Sequence, residues 1–380
     1  MGPLKGIKVI EIASIGPGPY AAMMLADMGA TVIRVDRTQP ANLGINMPQH
    51  MNVMLRGRRS VAVDLKSTQG VETLLRLIDG ADAVMEGFRP GVAERLGIGP
   101  EICLARNPRL VYGRMTGYGQ DGEMSSVAGH DINYIALAGV LHAIGEKGRK
   151  PVPPLNLVGD FGGGGMYLAF GLVCGILEAR NSGTGQVVDC AMVEGAALLA
   201  NTLLGMRGIG KWSDERGANT LDGGAHFYGT YETKDGGWFA VGAIEPQFYS
   251  KLLALMGLDE AEFQPQMDKT RWPAWQQRFA EVFKTKTRAE WAARLEHEDT
   301  CANPVLTFEE AQHHPHNVQR GVFVKPGGVA QVAPAPRFSR TPGELHLPPP
   351  EPGAHTDAVL TEFGFAATEI AALRAAKAVR

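Results

Sequence analysis

Cysteine is scarce in this chain. Cys103, Cys174, Cys190 and Cys301 are scattered through 380 residues, with no CxxC pair and no histidine at a zinc spacing. Neither a disulfide framework nor a structural zinc site is expected, and a reducing compartment fits. An excess of positive charge is also missing: 37 Lys and Arg stand against 40 Asp and Glu. That balance argues against a nucleic-acid partner. Long apolar runs are missing too. The opening MGPLKGIKVIEI enters a strand without the apolar h-region of a signal peptide. The longest apolar run, MYLAFGLVCGIL at 166–177, falls short of a bilayer span and reads as a buried helix. GxSxG and GxxxxGK[ST] do not occur, which leaves hydrolase and NTPase chemistry without support. A cytoplasmic protein with no nucleic-acid and no membrane partner is the expectation.

From residue 8 to about 192 short apolar runs alternate with helical patterns. IKVIEI, TVIRVD, SVAVDL, DAVMEG, LVYGRM and QVVDCAM read as strands. PYAAMMLADMG, STQGVETLLRLIDG (with Ser67 as N-cap), HDINYIALAGVLHAI and GGGGMYLAFGLVCGILEAR read as helices. Strands separated by helices form parallel βαβ units, so the fold class is α/β, a Rossmann-like doubly wound sheet. Near 221 the pattern changes. HFYGTYET, KDGG and WFAVGA form a hairpin around an Asp-Gly turn, and three helical segments follow. The expected division is a large α/β domain over 1–192, completed by 331–380; a linker helix and loop over 193–220; a smaller α+β domain over 221–316; and a return linker over 317–330. At that length, 380 residues suit two cores better than one.

GPGPYA, after the first strand, has the GxGxxA spacing of a dinucleotide loop, with Asp36 about twenty residues on. Pro17 and Pro19 lack the N–H groups that a phosphate cradle needs, so a plain strand-to-helix turn competes with NAD binding. Between 34 and 66 six cations, Arg34, Arg37, Arg56, Arg58, Arg59 and Lys66, face two acids, Asp36 and Asp64. Arg89 and Arg95 follow. Guanidinium groups beside loops that end parallel strands suit a phosphorylated ligand, unless they only form a solvated surface. His130 opens a helix in GHDINY, where free peptide N–H groups favour negative charge and Asp131 could cap. Asp160 precedes a run of four glycines and the next helix; Glu245 sits between a strand and Pro246. For both acids the ordinary role is an N-cap. HHPH at 313–316 matches no tetrahedral metal site, and a polar loop is its simpler reading.

Several segments together resemble the racemase branch of the family III CoA-transferase superfamily. They are GPLKGIKVIEIASIGPGPYAAMMLADMGATVIRVDR, DLKSTQG, EGFRPGVAERLGIGP, RMTGYGQDG, AGHDINYIALAGVLHAIG, PPLNLVGDFGGGGM and VGAIEPQFY, with PGAHTDAVLTEFGF near the end. The resemblance implies that the first domain binds coenzyme A rather than NAD. Arg37, Val63, Asp64, Leu65, Lys66, Gly87, Phe88, Arg89 and Arg95 would meet its adenosine and phosphates. Gly129, Asp131, Ile132, Asn133 and Tyr134 would meet the thioester end. It also implies an interlocked homodimer whose active site is shared between chains, with Glu245 contributed by the second copy.

The implied activity is isomerase chemistry of fatty acid metabolism, interconverting (2R)- and (2S)-2-methylacyl-CoA by 1,1-proton transfer through an enolate. His130, oriented by Glu245, would serve one face and Asp160 the other. Coenzyme A would be part of the substrate, with no metal, flavin or NAD as cofactor. Methionines in MNVML and AAMML could line a tolerant acyl track or simply pack a core. The alternative inside the same fold is a CoA-transferase that forms a covalent intermediate on Asp160. A second base at His130 and IEPQF in place of a glycine-rich lid argue against it. An NAD-dependent dehydrogenase would depend on GPGPYA, and a non-catalytic relative would be expected to have lost His130, Asp160 or Glu245.

Overall fold

Runs such as KVIEI and TVIRVD are apolar on both faces, which suits strands covered by helices on either side. The computed structural model describes residues 2–39, 44, 45 and 47–380. In it the first five strands are β1 (Lys8–Ile12), β2 (Thr31–Asp36), β3 (Arg58–Ala62), β4 (Ala83–Glu86) and β5 (Val111–Thr116), and β6 is Gln186–Ala191. They form one parallel sheet in the order β3-β2-β1-β4-β5-β6. The order reverses between β1 and β4, so a crevice is expected outside the carboxyl ends of those strands.

The helices between them are α1 (Pro17–Asp27), α2 (Thr68–Asp79), α3 (Val92–Arg95), α4 (Pro100–Arg106), α5 (Asp131–Leu137), α6 (Val140–Ala143), α7 (Met166–Ser182) and α8 (Met192–Leu199). Ser67 caps α2 by accepting the Gly70 N–H at 3.0 Å, as its sequence suggests. The segment expected to be one helix over HDINYIALAGVLHAI is two, because Gly139 adopts φ +79° between them; only glycine does so without strain. A further difference lies ahead of α7, where Leu157–Gly165 is π-helical and continues directly into it.

Joined in this way, Leu157–Ser182 is long and apolar enough, by length and composition, to cross a membrane. That corrects the expectation that the run is too short. α7 is nevertheless a packed helix of this unit, with Leu168, Leu172 and Ile176 buried beside Val111 and Met115 of β5. It is not buried all round, as the sequence reading expected: Met166, Phe170, Val173 and Leu177 are exposed along one side.

The chain resumes with α9 (Asn201–Gly208), β7 (Tyr228–Glu232), β8 (Trp238–Gly242), α10 (Pro246–Met256), α11 (Trp272–Phe283), α12 (Arg288–Leu295), β9 (Ala302–Pro304), α13 (Phe308–His313) and α14 (Pro315–Arg320). The hairpin β7–β8 forms as expected, and β9 extends it to an antiparallel sheet. Phe227, Phe239, Tyr249, Phe263, Trp275, Phe279 and Phe283 fill its core. A short pair, β10 (Phe323–Val324) and β11 (Gln331–Val332), precedes α15 (Thr356–Glu362) and α16 (Ala367–Ala375). Both last helices pack on the first sheet through Val359, Leu360 and Ile370.

Two compact units result. One holds residues 1–138, 155–199 and 321–380; the other holds 139–154 and 200–320. The 193–220 segment, read from sequence as a linker, is thus divided at 199/200.

The first unit carries a buried charge network. Glu11 of β1 pairs with Arg34 of β2 and with Arg58 of β3, the latter at 3.0 Å. Arg34 also reaches Asp36 at 3.0 Å, and Arg58 donates to the Pro19 carbonyl of α1. Two guanidinium groups around one carboxylate hold it below the usual carboxylate range despite its burial. Arg56 is likewise buried and paired with Asp27 at 2.6 Å, so three of the cations counted in sequence as candidate phosphate ligands, Arg34, Arg56 and Arg58, are occupied inside the fold.

Candidate active site

The binding residues proposed from sequence fall at one end of the parallel sheet. Arg37 follows β2, Val63–Lys66 follow β3, Gly87–Arg89 follow β4, and Gly129–Tyr134 lie on the connection leaving β5. These are the carboxyl ends, where backbone N–H groups and loop side chains converge on a ligand. Arg37, Lys66, Arg89 and Arg95 are exposed. Val63 is buried, and Leu65 and Phe88 pack on the core, so these three have their side chains turned to the fold. Asp64 accepts the Lys66 N–H at 3.0 Å and shapes the turn.

His130 and Asp160 come together in the first unit. His130 is the N-cap of α5, in extended backbone, and it is exposed. Its N–H donates to Asn133 Oδ1 at 3.0 Å. Asp131 does not cap its own helix, as its sequence position suggested. Its carboxylate turns to the π-helical segment, where Oδ2 accepts the N–H of Gly159 at 2.6 Å and of Asp160 at 2.7 Å. The start of α5 is thereby bonded to the backbone that carries Asp160. A Cβ on Gly159 would stand 2.6 Å from that same oxygen, so glycine is required for the approach.

Asp160 is not an N-cap either. It lies within the π-helix, half-buried, and accepts from Asn156 Nδ2 at 3.1 Å. Its carboxyl is raised above the ordinary aspartate range, first by burial and also by Asp131; the Asn156 bond and His130 oppose the rise. Gly16, the first glycine of GPGPYA, faces it: a Cβ there would sit 3.2 Å from Asp160 Oδ2. That glycine, at φ +66°, makes room for a carboxylate. The four-glycine run has a similar reason. Cβ atoms on Gly163, Gly164 and Gly165 would fall within 3.0 Å of α8 or α1.

Tyr134 closes the other side. Its hydroxyl donates to the Gly129 carbonyl, and its ring meets Tyr118 edge-on at 5.0 Å. Burial pushes its phenol up to about 12, which keeps it neutral. Ile132 and Asn133 are exposed beside it.

Glu245 belongs to the second unit, at the N-cap of α10. Its carbonyl accepts the N–H groups of Phe248 and Tyr249 at 3.1 and 3.0 Å, but its side chain makes no cap hydrogen bond and is exposed. The carbonyl bonds are the ordinary first bonds of the helix, and the side-chain cap expected from the sequence is not made. Of the HHPH histidines, His313 ends α13, His316 lies in α14 and His314 sits between the helices, with His314 paired to Glu296 and His313 to Glu309. Met47 and Met51 are exposed in the first unit.

Sequence reasoning missed the group beneath the β4 loop. Glu86 ends β4, is buried, and accepts the Phe88 N–H at 2.5 Å through Oε2. Its Oε1 accepts from Arg114 Nε at 3.1 Å. Burial raises this carboxyl to about 7. The available signal was a charge inside an otherwise apolar strand, VMEG and VYGRM.

The model of the CoA-transferase family III matches residues 4–356. Alpha-methylacyl-CoA racemase of Mus musculus is 48% identical over 378 residues, covering 99% of this chain and 97% of the mouse protein. The Homo sapiens protein of the same name is 45% identical over the same coverage. Among solved structures, a CAIB/BAIF family protein from Brucella suis superposes with a TM-score of 0.81 at 26% identity, over 95% of this chain and 99% of that one.

Proposed function

The chain belongs to the CoA-transferase family III, and on that basis we propose that it is a racemase interconverting (2R)- and (2S)-2-methylacyl-CoA by 1,1-proton transfer. The observation that carries the reading is the bond between the start of α5 and the Asp160 backbone. Through Asp131 it ties the helix start that carries His130 to the backbone of Asp160, whose carboxyl has raised proton affinity. Inverting a carbon next to a thioester needs such a pair, one group to remove a proton and one to return it.

From the (S) side, His130 takes the α-proton and the C–H electron pair moves into an enolate. The enolate oxygen lies at the free N–H groups that open α5, near that of Asp131, where partial positive charge stabilises it. Protonated Asp160 then delivers its proton to the opposite face. From the (R) side the two roles exchange. Coenzyme A is part of the substrate, its phosphates held by Arg37, Lys66, Arg89 and Arg95, and its adenosine against Val63–Lys66. The working form is an interlocked homodimer in which Glu245 of the second copy orients His130. The exposed stripe Met166, Phe170, Val173 and Leu177 on α7 supports a covered surface there.

A CoA-transferase would use Asp160 as a nucleophile, which must be ionised. It would leave His130 without a role, whereas the racemase reading uses both groups. The test is proton NMR of one epimer of a 2-methylacyl-CoA in heavy water, with a free carboxylic acid also present. Loss of the α-proton signal with mixing of epimers, abolished in His130→Ala and Asp160→Ala, is expected. A new thioester on the added acid, with the α-proton retained, would replace the racemase reading by the transferase one.

A further inference from the structure

We infer that Arg114 and Glu86 are positioning residues for coenzyme A, acting by stapling both ends of the loop that carries Arg89 and Arg95. The inference rests on the reading that these two arginines hold the phosphates. The loop leaves β4 at Glu86, runs through Gly87–Arg89 and returns in the one-turn helix α3, which contains Glu94 and Arg95. Its length gives it little secondary structure of its own, so something must fix the two cations in place.

Arg114, from the neighbouring strand β5, meets both ends. Its Nε donates to Glu86 Oε1 at 3.1 Å; its Nη1 and Nη2 donate to Glu94 Oε1 and Oε2 at 2.8 and 3.3 Å. One planar guanidinium thus spans two carboxylates, which a lysine ammonium cannot reproduce. Glu86 adds a third tie by accepting the Phe88 N–H at 2.5 Å, next to Arg89. Arg114 and Glu86 are buried, whereas Arg89 and Arg95 are exposed. The arrangement is that of a rigid inner pair supporting an outer pair that faces ligand. The charged and titratable groups facing Glu86 are Arg114 and, beyond it, Glu94, with the Tyr112 phenol also on β5.

An ionised Glu86 is the better acceptor for both the amide and the guanidinium. Since this carboxyl titrates at about 7, the staple is tight above neutrality and slackens below it.

The experiment compares wild type with Glu86→Gln, Glu94→Gln and Arg114→Lys, by calorimetric titration of free CoA and by steady-state kinetics with a 2-methylacyl-CoA. Arg89→Ala and Arg95→Ala serve as references for the phosphate contacts. Near pH 8, Glu86→Gln and Arg114→Lys should weaken CoA binding about tenfold, the loss falling on KM rather than kcat. Glu94→Gln, at a half-exposed position that tolerates change, should weaken it less. Towards pH 6 the wild type should approach Glu86→Gln, so that the ratio of their KM values falls toward one. Ratios that stay constant with pH, or losses confined to kcat, would overturn the inference. If Arg89→Ala and Arg95→Ala also bind CoA like wild type, the phosphate assignment itself fails, which is a separate result.

Discussion

Acid should loosen the second unit selectively, and the group responsible is His226. It is fully buried, with its ring 4.8 Å from Trp275, 5.1 Å from Phe227 and 5.2 Å from Phe279. Nε2 meets the Tyr249 hydroxyl at 2.5 Å, and Nδ1 has no partner. Among the described residues no carboxylate stands by to balance a charge, so burial lowers its pKa from 6.5 to about 3. The unfolded chain therefore binds the proton first, and stability falls as pH falls from 6.5 towards 3. Between pH 7 and 5 that linkage removes about 2 kcal/mol. With an ordinary urea slope this moves the midpoint by about 1 M.

The assay is built into the chain. All five tryptophans, Trp212, Trp238, Trp272, Trp275 and Trp291, lie in residues 200–320, so intrinsic fluorescence reports on that unit alone. Urea melts followed by fluorescence at the two pH values, for wild type and His226→Phe, separate this histidine from the carboxylates that also titrate. The variant should lose most of the pH dependence. If the two proteins change in parallel, to within about 0.5 kcal/mol, the assignment is refuted.

Two other substitutions test the first unit. Gly159→Ala places a methyl against the Asp131 carboxylate, so kcat should fall by about a hundredfold at nearly unchanged melting temperature; an active variant would mean that the α5-to-Asp160 bond does not position the acid. Glu11→Ala strands the guanidinium of Arg58 and part of that of Arg34 in the sheet, and should cost about 3–5 kcal/mol in a denaturant melt followed by far-ultraviolet dichroism.

The parallel sheet was readable because its strands are apolar on both faces and its helices carry ordinary signals, such as Ser67 ahead of α2. What escaped is tertiary in origin. The expected helix through Gly139 failed because a single φ outweighs a good apolar period. β9, with Pro304 at its end, has no strand signature of its own and exists through pairing with β8. His130 and Asp160 were singled out individually, but nothing local told that Asp131 would pass over its own helix to bond Gly159 and Asp160. Glu11, Glu86 and Arg114 were overlooked, and Arg34 and Arg58 were read as ligand or surface cations, although inside buried strands each charge must have a partner.

The π-helical stretch Leu157–Gly165 gives the site a property that side-chain chemistry does not express. A helix closed on the fifth residue takes more residues per turn than one closed on the fourth, so the direction in which Asp160 leaves the backbone is set by counting. Losing one residue between Asn156 and Met166 would let the stretch tighten into α7 and aim the carboxyl elsewhere, with every functional residue still present. On the proposed mechanism the length of this segment would matter as much as its composition, and an inventory of residue identities would score such a deletion as intact.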